Sequence, residues 1–304
     1  MKKIGCLLIL LSACLFVLAQ SPVDKGLRTI NRNTAEAYIG FLASDFLEGR
    51  EAGTRGGRIA GEYIVSCLKI MSVQPFVEGY YQPFEVYTGK QMNNILGVIP
   101  GKISNEYVIV GAHYDHLGIN PNLEGDSIYN GADDNASGVS AVLQIAKGFV
   151  ESGIKPQRTV IFAFWDGEEK KLLGSNFFVE TFADLNNIKC YMNFDMIGRN
   201  NDESKPNHVV YFYTDTHPQY GEWLKNDIKQ YGFSLTPDYR PWDKPVGGSD
   251  NASFAKHNIP IIWYHTDGHP DYHKPSDHPE KINWDKLVEI TKTAYLLMMK
   301  LANE

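Results

Sequence analysis

Tyr107-Val108-Ile109-Val110-Gly111-Ala112-His113-Tyr114-Asp115 and Thr159-Val160-Ile161-Phe162-Ala163-Phe164-Trp165-Asp166-Gly167-Glu168-Glu169 share one pattern, an unbroken apolar run that stops at acids and imidazole. A continuous run rich in β-branched and aromatic residues predicts a strand covered on both faces, the usual condition of a parallel sheet. Between the two, residues 137–150 carry Val139, Val142, Leu143 and Ile145 as an apolar stripe, which predicts a helix packed on the core. Strand, helix, strand in that order predicts a parallel pair joined by a crossover helix.

The pattern continues outward. Strands are expected at 94–99, 107–112, 159–165, 190–194, 209–213 and 259–264, and helices at 58–71, 137–150, 175–181, 220–231 and 284–302. Asn33, with Glu36 three residues on, predicts a capping-box start for a further helix reaching residue 47. Alternation of this kind predicts an α/β fold, a three-layer αβα sandwich around a mostly parallel mixed β-sheet. The run Gly53-Thr54-Arg55-Gly56-Gly57 lacks the preceding strand and the spacing of a phosphate loop, so it reads as a turn into the next helix. No repeat, low-complexity tract or linker divides residues 20–304, and a single domain is expected.

Composition narrows the partners. Hydrophobic residues make up 43% and charged residues 21% of 304, which excludes a disordered chain. Met1-Lys2-Lys3 followed by an apolar run over 4–18 fits a signal peptide ending near Ala19, too short to span a bilayer, so export to a periplasmic or secreted location is expected with no transmembrane span in the mature chain. Leu11-Ser12-Ala13-Cys14 also resembles a lipoprotein box, although the residues after Cys14 stay apolar. Losing Lys2 and Lys3 takes the formal charge from -7 to -9, an acidic surface that excludes a nucleic-acid partner. Cys67 and Cys190 remain in the body and are expected to be buried thiols.

The chemistry lies at the strand ends. His113 and Asp115 follow one strand, Glu168 and Glu169 another, Asp195 ends the strand at 190–194, and His273 lies beyond the strand at 259–264. Open α/β sheets bind ligands outside the carboxyl ends of their strands, so these groups should converge on one rim. Gathered carboxylates raise one another's pKa, and a cation relieves the repulsion. Two Zn²⁺ ions bring four positive charges against Asp134, Glu169, Asp195 and a shared hydroxide. Mixed nitrogen and oxygen donors suit catalytic zinc better than calcium or magnesium.

The ordered runs Gly111-Ala112-His113-Tyr114-Asp115-His116, Asn130-Gly131-Ala132-Asp133-Asp134-Asn135-Ala136-Ser137-Gly138, Asp166-Gly167-Glu168-Glu169, Asn193-Phe194-Asp195-Met196 and Tyr272-His273-Lys274-Pro275-Ser276-Asp277 resemble the co-catalytic di-zinc aminopeptidases. The resemblance spans about Asp45 to the C-terminus. It implies that His113 and Asp195 hold one zinc, Glu169 and His273 the other, and that Asp134 bridges them. It also implies that Asp115 accepts the second N–H of His113, that Glu168 is the general base, that the Asp134-Asn135 peptide is cis, and that peptides are the substrates. Asp133 competes with Asp134 for the bridge. His265, His269 and His278 compete with His273 and read as surface or rim residues, whereas His116, His208, His217 and His257 receive no role. Many members add an oxyanion tyrosine; here Val246-Gly247-Gly248 precedes Ser249-Asp250, leaving Tyr239 as the candidate. Two enzymes on related scaffolds remain as alternatives. A glutaminyl cyclase uses one zinc, and a carboxypeptidase or dipeptidase needs a basic clamp such as Arg199 or Arg240.

Overall fold

A computed structural model describes residues 21–85, 89–242 and 247–304. The expected leader, the lipoprotein-like box and Val246 lie outside the described residues. The elements in chain order are α1 (Pro22–Leu27), α2 (Arg32–Leu42), α3 (Arg55–Ile70), β1 (Gln74–Pro75), β2 (Tyr81–Glu85), β3 (Gln91–Ile99), β4 (Ile103–His113), α4 (Gly138–Ser152), β5 (Arg158–Trp165), α5 (Leu173–Thr181), β6 (Ile188–Phe194), β7 (His208–Thr214), α6 (Gln219–Tyr231), β8 (Thr236–Trp242), α7 (Asn251–Ala255), β9 (Ile261–His265) and α8 (Trp284–Asn303).

The strands form one sheet in the order β1-β3-β5-β4-β6-β9-β7-β8, with β2 also paired to β3. Its centre, β5-β4-β6-β9, is parallel. The flanks are mixed: β3 is antiparallel to β5, and β7 antiparallel to β9. Along β4 and β5 the side chains divide by the two-residue period of a strand. Val108, Val110, Ala112, Val160, Phe162 and Phe164 join the core that includes α4 and α8. Tyr107, Ile109, Ile161, Ala163 and Trp165 join the opposite core, to which α5 contributes Phe178 and α7 Phe254. Burial on both faces explains why these strands are apolar throughout, and it makes the fold the expected three-layer sandwich.

Several boundaries differ from expectation. α2 starts before the expected Asn33 cap: Asn31 caps it, its side-chain oxygen accepting from Thr34 N–H. The helix expected to reach residue 47 ends at Leu42, because Arg50 folds back and donates to the Leu42 carbonyl. Residues 45–50 instead form a tight turn with Glu48 and Gly49 at positive φ. α3 begins three residues earlier than expected, at Arg55, capped by the Thr54 hydroxyl accepting from Gly57 N–H. Gly56 is required there, since a Cβ would sit 1.8 Å from the Leu47 carbonyl oxygen. Residues 236–242, where no strand was expected, form β8, with Tyr239 paired to Tyr211.

Candidate metal centre

Register brings the site together. His113 at the end of β4 lies level with Trp165 at the end of β5, and Asp195 follows Phe194, which is level with Tyr264 on β9. The carboxyl ends of four parallel strands therefore make one rim.

A turn at residues 131–137 supplies Asp134, and it is bolted down from several sides. The Asn135 amide donates to Phe194 O at 2.8 Å and its oxygen accepts from Gly138 N–H. The Ser137 hydroxyl donates to Asp133 O and accepts from Ile197 N–H. Asp277 Oδ2 accepts from the N–H groups of both Asp133 and Asp134, at 2.9 and 3.0 Å. The Asp134-Asn135 peptide is cis. Behind the turn, the fully buried Arg50 guanidinium donates to the carbonyls of Leu42, Tyr114, Asn130 and Gly131. One side chain thus ties α2, the exit of β4 and the entry to the turn. Burial pulls its pKa down to about 10, against the raising influence of Asp134, Asp277, Asp115 and Glu169, so it stays cationic at neutral pH. Nothing in the sequence periodicity marks Arg50; its partners are main-chain carbonyls 8 to 81 residues away.

Two groups of possible metal ligands result, His113–Asp134–Asp195 and His116–Asp134–Glu169, sharing Asp134. His113 Nε2 lies 3.4 Å from Asp134 Oδ1 and 3.7 Å from Asp195 Oδ1. His273 Nε2 lies 3.3 Å from Asp134 Oδ2 and 3.2 Å from Glu169 Oε2. Donors about 2.0–2.1 Å from a tetrahedral zinc stand about 3.3 Å apart, so these separations are close to the edges of a zinc coordination shell. The donor set fits zinc in chemistry as well as spacing. Asp133 faces elsewhere: its Oδ1 accepts from Gly198 N–H at 2.6 Å, and its Oδ2 lies 3.3 Å from His269 Nε2.

His113 Nδ1 is 3.1 Å from the main-chain oxygen of Asp115 and 3.6 Å from its carboxylate. The residue is the expected one, but the carbonyl is the closer acceptor. The Asp115 carboxylate instead accepts from Glu168 N–H at 3.0 Å, fixing the backbone that carries the two glutamates. Glu168 lines a cavity of about 230 Å³ with His113, Asp134, Asp195 and His273, walled by Trp263, Met196 and Tyr272.

The other candidates are placed as follows. His265 lines this cavity and is turned by a contact from its Nδ1 to Asp195 O. His278 meets Asp126 at the surface. His269 is not a surface residue: its side chain is fully buried against Asp133, because the loop 266–277 folds inward beneath the turn. Tyr239 packs at a tilt against Tyr211 in β7 and does not line the cavity, whereas Tyr272, which the sequence did not single out, does. Cys67 and Cys190 are free and buried.

The imidazoles and carboxylates of the site shift one another's proton affinities. Burial would lower the His273 imidazole, but contacts to Asp134 and Glu169 outweigh it and push it up to about 10. Burial and the Asp134 charge raise the Glu169 carboxyl, yet His116 and His273 hold it below its ordinary value. Asp134 is likewise raised by burial and carried well below the carboxylate range by His116, His113 and His273. Protons on His113 and His273 thus stand where metal charge would be. Two opposite pH trends are expected. The raised His273 pKa contributes stability to metal-free protein that is complete below its unfolded value of 6.5 and lost as pH rises through about 10. Zinc must displace the same proton, so its affinity should tighten over that interval and its binding should release protons. Calorimetry in buffers of different ionisation enthalpy, beside melts of metal-free protein at pH 6 and 9, checks both; pH-independent zinc affinity would refute the account.

The model described as Peptidase family M28 matches residues 94–298. A probable leucine aminopeptidase of Arthroderma otae is 29% identical over 218 residues, covering 69% of this chain and 57% of that protein. Leupeptin-inactivating enzyme 1 of Streptomyces exfoliatus is 26% identical over 249 residues, covering 80% of this chain and 50% of that protein. The chain thus spans about half the length of these curated relatives. Among solved structures, the LapA aminopeptidase of Legionella pneumophila superposes with a TM-score of 0.73 at 24% identity, covering 93% of this chain and 75% of that one. BSAP, a zinc aminopeptidase from Bacillus subtilis, gives 0.73 at 16% identity, covering 90% and 96%. At these identities both share the fold. With the matched residues running from β3 into α8 and including every ligand candidate from His113 to His273, the chain belongs to Peptidase family M28.

Proposed function

We propose that the chain is a zinc-dependent aminopeptidase that removes N-terminal residues from peptides. The observation that carries this reading is the shared carboxylate: Asp134 belongs to two donor groups at once, and it lines a cavity only about 230 Å³ in volume. His113, Asp134 and Asp195 hold one zinc, and Asp134, Glu169 and His273 the second. When bound, the ions supply Lewis acidity for a water and the scissile carbonyl, and positive charge for the developing oxyanion. Glu168, beside this donor set and lining the same cavity, takes the proton of the attacking water and passes it to the departing amine. Asp115 sets the backbone of Glu168 and the tautomer of His113.

The acidic lining of the cavity favours a substrate ammonium over a carboxylate. Both arginines that could clamp a carboxylate are engaged elsewhere: Arg199 is buried against Asp271, and Arg240 is paired with Asp238 and Asp267. This supports amine-end cleavage over a carboxypeptidase, and the second donor group supports two metals over a one-zinc cyclase. Acetylating the N-terminus of a peptide is expected to abolish its hydrolysis, and amidating its C-terminus to change kcat/KM by less than about threefold, roughly 0.7 kcal/mol. A peptide panel followed by mass spectrometry checks this; the reverse pattern would overturn the reading.

Export is part of the same proposal, resting on the charged start and apolar run at residues 1–18, with residues 20–304 as one catalytic domain. Among the described residues no helix is long and apolar enough to cross a membrane.

A further inference from the structure

We infer that His116 is the positioning residue of the second zinc site: its Nδ1–H holds Glu169 Oε1, so that Oε2 is the oxygen presented to the metal. The inference rests on the two-zinc reading above and goes beyond its ligand set. His116 is fully buried on the segment after β4, one residue past Asp115. It stands close enough to Asp134 and Glu169 to count geometrically with them as a metal-binding group. Two roles are therefore open to it, ligand or hydrogen-bond donor.

Three observations separate them. First, its Nδ1 lies 2.8 Å from Glu169 Oε1. That is a charge-assisted hydrogen-bond length, clearly shorter than the roughly 3.3 Å between neighbouring ligands on a tetrahedral zinc. The contact to Asp134 Oδ2, at 3.9 Å, is longer than such an edge. His273 Nε2, by contrast, is 3.3 and 3.2 Å from Asp134 Oδ2 and Glu169 Oε2, close to edge length on both sides. The two oxygens of Glu169 thus divide their work, Oε1 to His116 and Oε2 toward the metal with His273.

Second, a metal-binding histidine almost always donates its other ring N–H to a partner. His113 does so toward Asp115 O. His116 Nε2 is buried with no partner among the described residues. Were Nδ1 a ligand, Nε2 would be an orphaned buried donor, which native structures rarely tolerate. With Nδ1–H donating, Nε2 carries only an unused lone pair.

Third, the ring is packed closely against Gly131, which sits at φ +59: a Cβ there would come 2.5 Å from His116 Cδ2 and 2.7 Å from its Cγ. The glycine that opens the Asp134 turn therefore also makes room for the ring that orients Glu169.

The test uses full-length metal-free enzyme and three variants, H116A, H116N and H116Q. An asparagine amide nitrogen occupies the same bonded position from Cβ as Nδ1, so it can donate to Glu169; glutamine is one bond too long and cannot. Stepwise zinc titration against a competing chelator is read beside visible spectra of the cobalt(II)-loaded proteins and melts of the metal-free proteins. One zinc step is expected to weaken about 10- to 100-fold in H116A and H116Q, with the other step held within about threefold. H116N should recover to within a few-fold of the parent. Cobalt band positions and intensities should match in all four proteins, because His116 contributes no atom to the metal. Unchanged zinc affinity in H116A would overturn the inference. So would an H116N as weak as H116A with an altered cobalt spectrum, the signature of a lost ligand. If H116A does not fold, the H116N and H116Q pair decides alone, and equal affinities in that pair overturn it. Parent enzyme that binds one zinc is a different failure, which removes the two-zinc reading itself.

Discussion

Glu168→Gln is expected to keep both zinc ions and normal substrate affinity while kcat falls by roughly 10²- to 10⁴-fold, the usual cost of removing a general base. The geometry makes the two adjacent glutamates unequal. Glu169 reaches His116 and His273, at 2.8 and 3.2 Å. Glu168 lines the cavity with His113, Asp134 and Asp195, and its N–H is held by Asp115. Burial pushes the Glu168 carboxyl up to about 10 in the metal-free protein; His113 pulls it down, while Asp195, Asp250 and Asp115 raise it further. A carboxyl with so high a proton affinity is a strong acceptor once bound cations bring it into its ionised form. Glutamine keeps the size and the hydrogen bonds but cannot carry the proton. Zinc content by atomic absorption, and kcat and KM with an unblocked peptide, check the expectation side by side. Near-normal turnover would remove Glu168 from the mechanism, and lost zinc would make it a ligand instead.

Asp134→Ala is expected to weaken both zinc steps, whereas Asp195→Ala should weaken one. Among the described residues Asp134 is the carboxylate shared by both donor groups, and it faces His113 through Oδ1 and His273 through Oδ2. Each weakened step should exceed the roughly 10- to 100-fold cost of losing an outer-shell partner, because a charged donor is removed from the metal itself. The fold should survive in zinc-free buffer. Alanine removes a carboxylate that His116, His113 and His273 stabilise, so metal-free protein should lose some stability, but the backbone of the turn remains held by Asp277 and Asn135. Titration of the two variants decides the matter. Loss of a single step in Asp134→Ala would show that the two metals do not share this carboxylate.

Much of this architecture was legible in the chain. The runs at 107–112 and 159–165 specify strands because each alternate side chain meets a helical layer, so no polar residue is tolerated until the strand leaves the sheet. The first polar residues after each run consequently mark the rim, and His113, Glu168, Glu169 and Asp195 were readable from position alone. The order of the motifs then named Asp134 and His273. The edge strands β1, β2 and β8 were not readable. They are short or half exposed, β2 and β8 include proline, and edge positions impose little pattern on a sequence.

Tertiary structure decided what periodicity cannot encode. Arg50 ends α2 and supports the metal-site turn through hydrogen bonds to carbonyls of distant segments, which any residue type could supply. His269 and His116 look in sequence like further polar residues of exposed loops. Folding buries one against Asp133 and the other against Glu169, separations of 136 and 53 residues that no local pattern records. The sequence by itself determined which rim the polar residues share, because strand burial forces polar groups to the strand ends, whereas His116 entered the donor set only through the fold. Only the tertiary structure decided which nitrogen faces which oxygen, because a difference between 2.8 and 3.3 Å is set by packing from both sides of the site.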